Sequence, residues 1–263
     1  MLHHPHRRVR THGGHALSEH RPSVIATLRT TVDAVAKAAL SLGGMPSLAA
    51  PEDLIAAGAR QGAHAERTLA GRVALRLLLA HVLGAPAAEA PLLPIERTCD
   101  VCGVPHGRPR TVGASLSGST SGPHILVAVA TCEDRAEEPP PLGVDIQELP
   151  QALWNGFDAA VLHPDEHLTE LVDLRARVNL WTRKEAVLKA AGVGLRIDPH
   201  RLLLVPRQAR GVWQWAVHEC SPCPTLGLVI QDLPGTVPCA VASSAVDTQP
   251  MLTLDLRVLL SSA

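Results

Sequence analysis

Two long helical patterns, each accompanied by several short strand-like runs, constrain this chain more than any other feature. Over residues 65–83 the apolar positions Leu69, Val73, Leu77 and Val82 recur at helical spacing, with Arg67, Arg72 and Arg76 between them. Taken alone, those arginines read as a solvated face. A second helical stretch runs from Trp181 to Ala191 and ends at Gly192-Val193-Gly194-Leu195, a glycine stop. Strand-like runs fall at residues 23–28, 125–130, 143–148, 201–206, 212–218, 226–230 and 239–243. Two successive halves of this kind predict an α+β protein. The expected division is a tail over residues 1–21, a first lobe over 22–141 and a second over 142–263.

Composition narrows the function. The aromatic set is Trp154, Phe157, Trp181, Trp213 and Trp215, so the core must be built from Leu, Val, Ile and Ala. Platforms for stacking bases are not expected, and a formal net charge of -1 gives no global basic field, so nucleic acid is excluded as a partner. No apolar run approaches the roughly 18 residues of a membrane helix, and the His- and Arg-bearing N-terminus lacks an apolar signal-peptide core. A cytoplasmic protein with reduced thiols and no membrane attachment is expected.

Charged residues in the second helical stretch make a candidate site. Glu185 and Lys189 stand four positions apart and share a helix face. Only three of the 24 basic residues are Lys, and two of them, Lys184 and Lys189, fall here. Lys is a compact charge that suits a single phosphate, whereas Arg prefers a planar bidentate partner. Upstream, Gly143-Val144-Asp145-Ile146-Gln147 alternates apolar and polar residues, so a strand would place Asp145 and Gln147 on one face. The two segments offer two carboxylates, an amide oxygen and an ammonium.

These segments resemble the paired signatures of the Sfp-type 4'-phosphopantetheinyl transferases, roughly Gly-Ile/Val-Asp-Ile/Val-Glu and Trp-Ser/Thr-x-Lys-Glu-Ala/Ser-x-x-Lys. The second matches at every defined position, and the first departs at Gln147. Further matches lie upstream: Arg67-Thr68-Leu69-x-Gly71, Gly107-Arg108-Pro109, and Ser119 in Leu116-Ser-Gly-Ser-Thr-Ser-Gly122, where Thr120 stands in place of the family's His. The resemblance implies the two-lobed, pseudo-twofold α+β fold of that family. It also implies transfer of the phosphopantetheine arm from coenzyme A to a serine of an acyl or peptidyl carrier protein, with Mg²⁺ as cofactor and a monomer sufficing. By the same resemblance Asp145, Gln147 and Glu185 hold Mg²⁺, and Asp145, Glu185 and Lys189 are the catalytic set, with Glu185 as base. Arg67, Thr68, Arg108, Ser119, Thr120 and Lys189 would contact coenzyme A.

Other readings compete. A non-catalytic paralogue that binds coenzyme A or carrier domains is suggested by Gln147 and Thr120. His163-x-x-Glu166-His167 has the spacing of one zinc-peptidase class, but Pro164 and the acidic residues after it describe a helix's first turn, which places His163 outside a helical face. Cys99/Cys102 and Cys220/Cys223 invite a zinc ribbon. Ribbons place about 15 to 20 residues between the two pairs, and here the pairs lie much further apart, so no such ribbon is expected.

Overall fold

The computed structural model describes residues 23–134, 137–166, 173–220, 225 and 227–260. The tail expected over residues 1–21 lies outside them, as do His167 and Cys223. Strand β1, Val24–Thr31, is rich in the β-branched side chains that fit a pleated, half-buried surface. It runs straight into helix α1, Val32–Ala39, where the Thr31 hydroxyl accepts from the Ala34 amide at 3.2 Å and caps the first turn. Pro51 opens α2, Pro51–Gly58, at a position where its missing N–H has no helical partner to lose. The long helix expected over 65–83 is α3, Ala63–Val82.

Strands β2 (Arg110–Thr111), β3 (Ala114–Ser121) and β4 (His124–Thr131) follow. β3 is the Ser- and Gly-rich segment that offers no apolar alternation, yet it pairs antiparallel with β4 from Ser115↔Ala130 to Ser121↔His124. The second half comprises β5 (Leu142–Ile146), α4 (Phe157–Val161), α5 (Leu174–Ala190), β6 (Leu202–Ala209), β7 (Val212–Cys220), β8 (Val229–Asp232) and β9 (Cys239–Ser243). The chain closes with β10 (Met251–Leu254) and α6 (Leu256–Leu260).

Two five-stranded sheets result, ordered β10-β1-β4-β3-β2 and β5-β9-β8-β7-β6. The architecture is α+β in four layers. Leu75, Leu78 and Leu79 of α3 pack on one face of the first sheet with Leu28, Val127 and Val129. The opposite face of that sheet, through Ile25, Leu126 and Ala128, meets Val144, Ile146 and Val241 of the second. Ala186, Val187 and Leu188 of α5 then cover the outer face of the second sheet against Ile230, Ala240 and Ala242. Each half therefore carries one long helix on its own sheet. The division at residue 142 needs one correction: β10 lies parallel to β1, with Ile25↔Met251 and Leu28↔Leu254 in register, so the end of the chain completes the first sheet. Among the described residues no helix is long and apolar enough to cross a membrane.

Helix α5 is fixed at both ends. Asp173 caps its start by accepting from the Ala176 amide at 2.6 Å. At its end Gly192, at φ 73°, donates to the Lys189 carbonyl while Val193 donates to Leu188, the paired bonds of a left-handed glycine stop. In between, Gly143 of β5 lies directly under the helix: a Cβ placed there would overlap the Ala186 carbonyl oxygen and the Ala190 amide nitrogen.

Candidate active site

The two sheets are joined along β3 and β5. Period two puts Ser117, Ser119 and Ser121 on one face of β3; the first two reach β5 and the third the residues just after it. The Ser117 hydroxyl accepts from the Val144 amide at 3.0 Å; Ser119 donates to Asp145 Oδ1 at 2.6 Å; Ser121 accepts from the Glu148 amide at 3.0 Å and donates to Gln147 Oε1 at 3.4 Å. A segment without apolar pattern is thus held as a strand by hydroxyls that satisfy the neighbouring sheet.

Asp145 is buried at the centre of this seam. Its Oδ1 also accepts from Lys189 Nζ at 2.6 Å, and its Oδ2 from Gln147 Nε2 at 3.0 Å. Lys189 reaches Ser119 Oγ at 3.0 Å, and its side chain keeps 28 % of its surface exposed. Glu185, one turn earlier on the same face of α5, completes the group. Its Oε1 is buried and finds no hydrogen-bond partner among the described residues. Burial pushes the Glu185 carboxyl up to about 7; the Lys189 ammonium opposes that rise and the Asp145 charge adds to it. Leaving a buried charged oxygen unpaired costs on the order of 1–3 kcal/mol or more.

Beside the seam lie two cavities. One, of ≈ 220 Å³, is lined by Arg67, Thr68, Arg72, Arg97, Ser119 and Thr120. Gly71 lets α3 approach here, since a Cβ would stand 3.2 Å from the Thr120 methyl. Thr68 donates its hydroxyl to the His64 carbonyl at 2.8 Å, which leaves its oxygen as an acceptor. The other cavity, of ≈ 460 Å³, is lined by Arg97, Arg108, Ser117, Lys189, Gly192 and Arg196. Arg97 lines both. Its Nε is buried without a partner among the described residues, and burial first, then the like charge of Arg72, lowers its guanidinium to about 10. No motif in the sequence singles out Arg97. The crowding of Arg97, Arg108 and Arg110 into one short stretch is the only signal that marks it.

Several charged residues of the same patterns lie elsewhere. Lys184 is wholly buried and donates to the Val161 carbonyl and to Glu166 Oε2, both at 2.6 Å, so it anchors α5 to the chain after α4. Glu166 is thereby committed: it also accepts from the His163 and Leu204 amides, and a peptidase's free glutamate is not there. Arg72 and Arg76 are not a solvated face. Arg76 is buried, bonded to Asp53, to Glu52 at 2.8 Å and to the Leu93 carbonyl at 2.7 Å, while Arg72 pairs with Asp53 at 2.9 Å.

Asp145, Gln147, Glu185, Lys189 and Ser119 therefore converge, Arg67, Thr68 and Thr120 line the adjoining cavity, and Arg108 shares the next one with Lys189. The donor set fits a hard cation: two carboxylates, one with an unpartnered oxygen, suit the all-oxygen preference of Mg²⁺. Gln147 turns its amide nitrogen toward Asp145, so its carbonyl oxygen would ligate only after the amide rotates.

A two-sheet α+β chain with paired acids and an ammonium at its seam, flanked by arginine-lined cavities, has the chemistry for a cation and a phosphate-bearing ligand. Residues 141–221 match the family model of the 4'-phosphopantetheinyl transferase superfamily. The matched segment holds Asp145, Gln147, Glu185 and Lys189; the residues of the smaller cavity and Arg108 lie upstream of it. No curated protein matches the chain.

Proposed function

We propose that this protein is a Mg²⁺-dependent transferase that moves the 4'-phosphopantetheine group of coenzyme A to a serine hydroxyl of an acyl or peptidyl carrier protein. The observation that carries the reading is the Glu185 carboxylate, buried beside Asp145 with an unpartnered oxygen and ionising near neutrality. The match of residues 141–221 to that superfamily's model supports phosphopantetheine transfer in general. Bound by Asp145 and Glu185, with the Gln147 oxygen as a further donor, Mg²⁺ would screen the diphosphate charge and stabilise the leaving group.

The chain's own groups supply the rest. Lys189, partly exposed, can leave Asp145 for a phosphate oxygen once another cation neutralises that carboxylate. Arg108, on the same cavity, would join it, and Arg67 and Arg97 would receive the adenosine phosphates with Thr68, Ser119 and Thr120 around them. Transfer forms a bond from the serine oxygen to the phosphorus that carries the pantetheine arm and breaks the diphosphate bridge. The adenosine bisphosphate leaves, and Glu185 takes the serine proton directly or through a water.

The test is mass spectrometry of an apo carrier protein incubated with the full chain, coenzyme A and Mg²⁺. A gain of the phosphopantetheine mass, lost on chelation of Mg²⁺, is expected. Coenzyme A binding without transfer to fatty-acid, polyketide or peptide carriers would favour the non-catalytic reading, which the closed Asp145–Lys189–Gln147 hydrogen-bonding group supports.

A further inference from the structure

We infer that Cys99, Cys102 and His106 form a zinc site that clamps the loop between Arg97 and Arg108. One ligand atom from each of the three lies within 4.8 Å of the other two, and Cys102 Sγ is 2.9 Å from His106 Nε2. In a tetrahedral site with Zn–S of about 2.3 Å and Zn–N of about 2.0–2.1 Å, neighbouring ligand atoms stand roughly 3.3–3.8 Å apart. The present spacing reaches that geometry with side-chain movements of about 1 Å.

The loop is built for metal-bound sulfur. Cys99 donates its amide to the Val104 carbonyl, and Gly103 returns to the Cys99 carbonyl, both at 2.9 Å, with Gly103 at φ 72°. That tight turn brings Cys102 back beside Cys99, so that their sulfurs belong to one group of potential ligands. Packing does not account for these three side chains, since both cysteines are free thiols and Cys102 and His106 are exposed. The ribbon weighed from sequence needed the distant Cys220 pair; His106, one short turn away, makes that pair unnecessary. Soft thiolates and an imidazole select zinc, whereas the carboxylates at the β3–β5 seam select a hard cation, so two metals would not compete. A water completes the tetrahedron on the exposed side.

The site has a consequence for the cavities. Arg97 stands two residues before Cys99, and Arg108 two residues after His106. The Gly107 amide donates to the Arg97 carbonyl at 2.6 Å, and a Cβ on Gly107 would overlap the Thr98 carbonyl. Closing the loop on zinc therefore fixes both arginines at the mouth of the ≈ 460 Å³ cavity. This consequence for ligand binding rests on the transferase reading; the metal site itself does not.

The full chain, expressed in zinc-supplemented medium and freed of loosely bound metal by gel filtration, should carry a single equivalent of zinc by elemental mass spectrometry. Cys99→Ser/Cys102→Ser and His106→Ala should lose at least about tenfold in zinc content, because each removes ligands from a site that needs them all. Replacement of zinc by cobalt in the unsubstituted protein should give sulfur-to-cobalt charge-transfer absorption, a readout that does not depend on the variants folding. Wild-type protein that arrives without zinc and takes none from a chromophoric chelator overturns the site, as does zinc unchanged in the double variant. A zinc-loaded protein without transferase activity would sink the transferase reading and leave the metal standing; an active zinc-free enzyme would do the reverse.

Discussion

Gly143 sits against the backbone of Ala186 with no room for a side chain between them. This contact sets the separation of β5 from α5, and with it the distance at which Asp145 meets Glu185 and Lys189. Gly143→Ala would have to lift the helix. Overpacking of this kind costs about 1–3 kcal/mol or more, or roughly 3–10 °C in midpoint for a domain of this size. Thermal unfolding and carrier labelling should both fall. An unchanged midpoint would mean that the helix is not held where the contact places it.

Glu185 makes stability depend on pH in a definite direction. Its carboxyl is raised in the fold from 4.5 to about 7. The folded state therefore resists ionisation: the penalty is absent below the unfolded value, grows as pH climbs between the two, and is complete above the folded value. Its full size is about 3 kcal/mol at about 1.4 kcal/mol per unit, and the buried amide of a replacement takes part of that back. Glu185→Gln should accordingly stabilise metal-free protein at pH 8 and do little at pH 4, by urea unfolding, while abolishing transfer. Equal stability of variant and parent at pH 8 would contradict the buried, unpartnered carboxylate.

For Lys189→Ala, the Michaelis constant for coenzyme A should rise by about 10- to 100-fold, the range of a charge-assisted hydrogen bond worth about 1.5–3 kcal/mol. The constant for the carrier protein should stay within about twofold, since no transition-state contact to it is removed. A change confined to the carrier constant would reassign the ammonium.

Gln147 holds a place where a carboxylate would stand 3.0 Å from Asp145 Oδ2, measured at the present amide nitrogen. Gln147→Glu adds charge to the cation site, so half-maximal activity should come at lower Mg²⁺. Without metal the same change sets like charges side by side and should lower the unfolding midpoint. A Mg²⁺ requirement that does not move would place Gln147 outside the cation site.

Arg97 offers a separable signature. Because its Nε is buried and unpartnered among the described residues, Arg97→Met should weaken coenzyme A binding by roughly tenfold, the loss of one charge-assisted bond, while leaving the midpoint unchanged or raised. Calorimetric titration and thermal unfolding of the same samples measure both. Loss of stability without loss of affinity would make Arg97 a structural residue.

The sequence made the acids and the ammonium visible because their spacing is local: Glu185 and Lys189 are one helical turn apart, and Gln147 follows Asp145 by two positions, just past the end of β5. Spacing and composition alone could not sort Lys189 from Lys184, or Arg67 from Arg76, which only the family resemblance separated, since the difference lies in distant partners. Glu166 draws Lys184 inward and Asp53 draws Arg76 inward, and neither acid belongs to a pattern that includes the base it holds. β3 was hidden for a related reason. Its serines carry no apolar signal, and what makes the segment a strand is pairing with β4 and hydroxyl bonds to β5.

The placement of β10 beside β1 has a temporal meaning. The Thr27 hydroxyl bonds the Leu252 carbonyl 225 residues further along. During synthesis the β10-facing edge of β1 must wait as a bare margin, its amides and carbonyls open to any stray strand, until residues 251–254 have emerged. Products truncated before residue 251 would keep that margin uncovered and should be the aggregation-prone species in any preparation.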